Sequence, residues 1–402
     1  MPTKRRANRV TIISRIYAPE PSAASLRLQA LADELVRREQ DVRVLTSRPP
    51  RGIRHDAGTA ETVARWPVLR DRAGYVRGYL QYMSFDIPLF FRMIFGRRAD
   101  VYVVEPPPTT GTVARVATWL IRRPYVYYAA DIWSDAAQMT GAAGWVIGVV
   151  RRLERFALLG AATDLVVSDG VISRIRTMAP GARMSPVGHG VDTDLFAPDG
   201  PRIDDAPDIV YAGTMSEWHG ARVAVDALAI LLRSVPSVKA VFIGQGSDRD
   251  ALEASAVAQG IADRVTFLPP MPPEQAAAWI RSARVALATL QPGKGYDFAV
   301  PTKLYAALAV GTPVAYCGPE PLRTTIVEEQ LGASAEFDAE AYAAAIAGVL
   351  AETDGRPDPH LVDWAHRNVS ARSVAARAAD AVLATVASRR GARRGAGRAS
   401  SH

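Results

Sequence analysis

A chain of 402 residues, nearly half of them hydrophobic, is long enough for two domains, or three, of roughly 100–200 residues each. Its one cysteine excludes an internal disulfide and a thiol-built metal site, and its six histidines lack the H-x-x-x-H or H-E-x-x-H spacing of a zinc site. No run of 18 apolar residues occurs, so no membrane-spanning helix is expected.

Charge is unevenly placed. Residues 1–188 carry 28 Lys and Arg against 16 Asp and Glu, residues 189–387 carry 15 against 25, and the tail 388–402 adds five Arg, giving the net +7. Either the first half faces something anionic, such as a membrane surface or a lipid phosphate, or each half is simply a solvated surface of one sign. The basic residues are dispersed and no reading motif is present, so nucleic acid is not an expected partner. The apolar run 10–13 is too short for a signal peptide, and a cytoplasmic location is expected, free or at the inner face of the membrane.

In chain order, a strand over 9–14, a loop over 17–22, a helix over about 23–38 and a strand over 41–46 open a doubly wound α/β sheet. Leu28, Leu31 and Leu35 share one face of that helix. Over 75–95, Tyr75, Tyr79, Tyr82 and Phe85 fall on one helical face, Pro88 kinks or splits the helix, and Arg92, Arg97 and Arg98 bound the far end. Such an aromatic stripe is either core or an interfacial membrane helix. Strands over 100–105 and 125–130 follow, with a helix over 109–120 between them; Asp131 then stands as an N-cap candidate for the next helix. A helix over 145–159 exposes Arg151, Arg152 and Arg155, and a strand over 163–168 and a helix over 170–178 complete a first domain, 1–188.

Residues 197–208, rich in Pro and Asp, read as a linker, and the α/β pattern restarts over 197–365. Strands are expected over 208–213, 239–244 and 284–289, a helix over 221–232, and a Gly-rich loop with Lys294 over 290–297. Residues 298–318, beginning at Phe298, read as a loop, a short helix and a buried strand. Pro301 suits the first helical turn, while Gly311 and Pro313 stop the helix. Lys303 lies in that first turn, where it adds a full charge to the partial positive charge of the helix N-terminus and makes a good phosphate site.

Residues 301–314, Pro-Thr-Lys-Leu-Tyr-x-x-Leu-Ala-x-Gly-Thr-Pro-Val, resemble the donor-site segment of family 4 glycosyltransferases, in the bacterial surface-polysaccharide subgroup. The resemblance implies a GT-B fold: α/β, two Rossmann-like doubly wound domains facing across a cleft. It implies a retaining, metal-independent transferase with no cofactor. The donor is a nucleotide-diphosphate sugar and the acceptor a lipid-linked or cell-surface glycan, met at a peripheral membrane site. On the donor side it implies Gly213, Thr214 and His219, then Gly244, Gly246 and Leu268, then Lys294 with Pro301, Thr302, Lys303, Leu304 and Tyr305. On the acceptor side it implies Ser22, Ala23, Arg27, Glu105, Trp133 and His189, with Asp131 orienting an acceptor hydroxyl or taking its proton. Arg27 reads equally as a surface helix charge, and His189 as a turn residue. Asp131 and Lys303 are the catalytic candidates: Lys303 neutralises the leaving diphosphate, which a site without metal ligands must do with cations and helix N-termini. Domain closure would exclude water.

The chain departs from the family pattern at three places. Ala23, Ala24 and Ser25 replace glycines in the first loop. Thr214 and His219 replace the arginine and lysine that hold the donor diphosphate. Ala306 stands where a ribose-binding glutamate is expected, leaving Lys303, Tyr305 or backbone to serve. Helices are expected over 338–351 and 361–387, with 366–387 crossing back to the first domain, and a disordered basic tail over 388–402. A non-catalytic nucleotide-sugar-binding protein and an epimerase of the same fold are the competing readings.

Overall fold

The computed structural model describes residues 7–20, 22–50, 61–71, 74, 76, 78–139, 142–294, 297 and 299–399. Tyr75 of the aromatic stripe, Phe298 and the tail beyond Ala399 lie outside the described residues. The chain divides into two units, one of residues 1–188 with 374–402 and the other of residues 189–373.

The first unit runs β1 (Arg9–Ile13), α1 (Ala23–Arg37), β2 (Asp41–Ser47), β3 (Thr62–Trp66), α2 (Tyr79–Phe95), β4 (Val101–Val104), α3 (Pro108–Leu120), β5 (Tyr125–Ala129), α4 (Trp133–Met139), α5 (Gly144–Gly160), β6 (Thr163–Val166), α6 (Asp169–Met178) and β7 (Met184–Pro186). The seven strands are all parallel, in the order β3-β2-β1-β4-β5-β6-β7. The order reverses at β1 and β4, where Ile13 pairs with both Leu45 and Val104. Strands β4, β5 and β6 are buried along their whole length, which is why they read as continuous apolar runs. Gly111 lets α3 approach α5 closely, since a Cβ there would stand 2.7 Å from the Cβ of Ala157.

Helix α2 is uninterrupted at Pro88, so the proline does not split it. Along the expected stripe Tyr79 is exposed, Tyr82 half-buried and Phe85 fully buried against Trp66, so the stripe runs from solvent into the core. The inward row is Phe85, Leu89 and Met93, and the outward row is Leu80, Ile87, Phe91 and Phe95.

The second unit runs β8 (Ile209–Ala212), a 3-10 turn (Glu217–His219), α7 (Arg222–Ser234), β9 (Ala240–Ile243), α8 (Arg249–Ala258), β10 (Val265–Leu268), α9 (Pro273–Ser282), β11 (Val285–Thr289), α10 (Thr302–Ala309), β12 (Val314–Cys317), α11 (Leu322–Glu328), β13 (Gly332–Ala335), α12 (Ala339–Glu352) and α13 (Pro359–Asn368). Its six parallel strands take the order β10-β9-β8-β11-β12-β13. One apolar cluster fills each face of this sheet, the first around Tyr211, Phe242 and Tyr342, the second around Leu304, Tyr316 and Trp364.

Residues 197–208 are fastened to α9 rather than left as a free linker. The buried Arg281 donates to the carbonyls of Ala197 (2.8 Å) and Pro201 (2.7 Å), and Ile203 N–H donates to Ser282 Oγ. The last helix, α14 (Ala371–Ala399), groups with the first unit from Val374. It carries residues 388–399 as helix, where the composition suggested an irregular tail.

Candidate functional site

In the second unit, β8 ends at Ala212 and Gly213 turns the chain with φ +146°. Only glycine fits two further turns beside it: a Cβ on Gly244 would meet the Gly213 carbonyl oxygen at 2.1 Å, and one on Gly246 the Met215 carbonyl oxygen at 2.0 Å. The side chain of Lys303 reaches over this turn. Its Nζ stands 3.6 Å from the centre of the Tyr211 ring and 3.5 Å from the Thr214 carbonyl oxygen. Burial pushes its amine down to about 7.

Lys303 is the second residue of α10. Pro301 is the N-cap residue, one place earlier than expected, and no side chain caps the helix. Thr302 is exposed, while Leu304 is buried in the core and so supports the helix without facing the turn. Tyr305 is half-buried with its ring 6.4 Å from Trp364. Ala306 is buried in the same apolar cluster as Leu304 and Leu308. The place expected for a ribose-binding carboxylate is therefore core.

His219 is buried, its Nδ1 2.7 Å from Ser216 Oγ and its ring against Trp218. Burial, and then the charge of Lys303, push it down to about 4, so it is neutral at pH 7. Lys294 is on the rim, in an ion pair of 2.5 Å with Glu217. The Leu268 carbonyl accepts from Gly244 N–H (3.1 Å) and from Arg249 (3.0 Å), which ties the end of β10 to that of β9. Arg249, which the sequence did not single out, also donates to the Gly244 carbonyl at 2.8 Å and so holds the ends of β9 and β10 together.

In the first unit, the carboxyl ends of β1, β4 and β5 gather a buried ionic cluster. Arg27 pairs with Glu105 at 2.6 Å and lies 4.8 Å from the centre of the Tyr128 ring, so it is no surface charge. Burial pushes the Glu105 carboxyl up, with Arg27 opposing and the nearby Asp131 adding to the rise. Arg15, unremarked in the sequence, is buried with its guanidinium 4.5 Å from the Tyr82 ring and 5.7 Å from the Trp133 ring. Ser22 Oγ caps α1 by accepting from Ser25 N–H at 3.0 Å, and Ala23 is exposed beside it.

Asp131 is exposed, and it is not the cap of α4. That role falls to Glu154 of α5, whose carboxylate accepts from Trp133 N–H (2.6 Å) and Ser134 N–H (3.0 Å). The cap came from 20 residues downstream, so the local pattern could not reveal it. His189, half-buried, begins the second unit. Among the described residues, no group of three or more His, Cys, Asp or Glu is placed to hold a metal ion.

Two Rossmann-like parallel sheets, the second with a glycine turn beneath a helix-borne lysine, define the GT-B class of fold. The chain belongs to the glycosyltransferases: residues 206–352 match the family model for glycosyl transferases group 1, and residues 22–190 that for the glycosyl transferase 4-like domain. It is 28% identical over 214 residues to the D-inositol 3-phosphate glycosyltransferase of Acidothermus cellulolyticus, covering 48% of this chain and 47% of the relative. It is 27% identical over 224 residues to a GDP-mannose-dependent alpha-(1-6)-phosphatidylinositol monomannoside mannosyltransferase of Mycolicibacterium smegmatis, covering 52% and 58%. The chain spans about half the length of the curated relatives it matches. Anabaena HepE, solved in complex with UDP, shares the fold with a TM-score of 0.67 at 14% identity, covering 94% of this chain and 100% of that one.

Proposed function

We propose that the protein transfers a sugar, with retention and without a metal, from a nucleoside-diphosphate sugar to a lipid-linked or cell-surface glycan at the inner face of a membrane. The observation that carries this reading is Lys303, held over the Gly213 turn at the uncapped N-terminus of α10. A diphosphate there meets one cation, the helix dipole and the backbone of three glycine-bearing turns, which together offset the charge that develops as the sugar leaves. Thr302 adds a hydroxyl, and neutral His219 a ring N–H when its Nδ1 accepts from Ser216. Lys294 joins by exchanging Glu217 for phosphate.

In a retaining transfer the departing phosphate takes the acceptor proton, so no strong enzymic base is required. Asp131, exposed beside the Arg27–Glu105 pair, orients the acceptor hydroxyl, and Trp133 supplies an apolar face. The lipid named as the substrate of the Mycolicibacterium relative supports a lipid-linked acceptor. Incubating the protein with UDP- and GDP-sugars and a polyprenyl- or phosphatidylinositol-linked acceptor tests this: nucleoside diphosphate and an extended glycolipid are expected together. A donor that binds and is returned intact with every acceptor supports a second reading, a nucleotide-sugar-binding protein, which rests on the departures from the family pattern at Thr214, His219 and Ala306. Conversion of the donor with no acceptor consumed points to an epimerase.

A further inference from the structure

Helix α3 lies between α2 and α5, packed against both. The steps from β3 through β4 and β5 to β6 all run in one direction along the sheet, so right-handed crossovers put the three helices on one face. Their outer surface is unusually apolar. Phe95 of α2 is 81% exposed, Trp119 of α3 75% and Trp145 of α5 76%. Ile87, Phe91 and Leu120 are also more than half exposed.

Helices α2, α3 and α5 themselves carry no exposed carboxylate. The carboxylates of α2, α3 and α5 are Asp86 and Glu154, and both are buried. Asp86 accepts from Thr110 Oγ1 at 2.6 Å, and Glu154 caps α4. Arg92, Arg151, Arg152 and Arg155 are exposed on these helices, with Arg98 and Arg122 just past their ends. Arg115 stacks on Phe156 at 4.0 Å and joins α3 to α5. A groove of about 700 Å³ opens along α5, lined by Trp145, Arg151, Arg152, Arg155 and Arg174. Arg174 is held by Asp135, whereas Arg151, Arg152 and Arg155 make no hydrogen bond or ion pair with any described residue.

We propose that the α2–α3–α5 face seats on an anionic lipid bilayer. Phe95, Trp119 and Trp145 enter the interfacial layer, and the arginine groove takes lipid phosphates. Charge selects this occupant over a second copy of the chain, because a uniformly basic face repels itself. The inference deepens the membrane contact proposed above and rests on that part of the reading.

Its test is co-sedimentation with vesicles of phosphatidylglycerol and phosphatidylcholine, against phosphatidylcholine alone. The proteins are wild type, Trp119→Ser/Trp145→Ser and Arg151→Glu/Arg155→Glu, each checked for native circular dichroism and for wild-type stabilisation by donor. Wild type is expected to bind the anionic vesicles only, and each variant to lose at least about tenfold in partitioning while still binding donor. Wild-type binding retained by both variants overturns the assignment of this face but leaves membrane contact standing. No wild-type binding to either vesicle overturns both and leaves the donor chemistry untouched. Self-association of wild type in sedimentation velocity, abolished by the Trp119→Ser/Trp145→Ser variant, would show that a second copy covers the face instead.

Discussion

Lys303 Nζ stands 3.6 Å from the centre of the Tyr211 ring, so the cation that faces the Gly213 turn rests on an aromatic face rather than on a carboxylate. Burial pushes the amine down to about 7. A diphosphate arriving beside it restores the charged form. Donor binding at pH 8 is therefore expected to take up close to ~1 proton. Below pH 7 the lysine is already charged and affinity is flat. Above it, affinity falls by up to about tenfold per pH unit. Titration calorimetry in two buffers of different ionisation enthalpy measures the uptake. Lys303→Met is expected to abolish it, and proton uptake unchanged in that variant would place the coupling elsewhere. His219, held near 4, is neutral throughout this range and adds nothing to it.

Replacing Arg27 by Met leaves Glu105 buried without its partner, and a loss of about 3–5 kcal/mol in stability is expected. The double variant Arg27→Met/Glu105→Leu removes both charges and is expected to recover most of that loss. Urea denaturation measures both; a double variant as unstable as the single one would mean the pair holds the edge of the sheet by shape rather than by charge.

Asp164 is buried within β6, and neither carboxylate oxygen has a hydrogen-bond partner among the described residues. Burial pushes its carboxyl up to about 8. The folded state thus holds the proton where the unfolded state has released it. Stability is greatest below the unfolded value near 4 and falls as pH rises toward 8, with a slope approaching about 1.4 kcal/mol per unit. Asp164→Asn is expected to flatten this slope and to be more stable than wild type at pH 8. Thermal melts of both proteins from pH 4 to 9 measure the difference, and parallel curves would contradict it.

Glu154→Gln is expected to weaken the cap of α4 and cost about 1–2 kcal/mol, whereas Asp131→Asn is expected to stay within about 0.5 kcal/mol of wild type. The same denaturation experiment separates them. A large loss with Asp131→Asn would return the capping role to it.

The strands were the most legible part of the sequence, because runs such as 125–129 and 314–317 are buried on both faces and so are apolar throughout. Gly213, Gly244 and Lys303 were legible for the same kind of reason: backbone turns and a helix-end cation leave local marks. What the sequence hid was set at long range. Arg27 reads as a surface charge until Glu105, 78 residues away, is placed beside it. Asp131 reads as a cap until Glu154 takes the role. The stripe on α2 stayed open between core and surface because period alone does not say which face meets the sheet; Phe85 turned inward while Tyr79 stayed exposed. The strand Thr62–Trp66 escaped notice because half-buried positions and an arginine interrupt its pattern.

The most direct test of the account is thermal stabilisation by UDP- and GDP-sugars on wild type and Lys303→Ala. A nucleotide sugar that raises the melting temperature of wild type and leaves that of Lys303→Ala unmoved is the expected result, with the diphosphate seated between Lys303 and the Gly213 turn. Equal stabilisation of both proteins would contradict it.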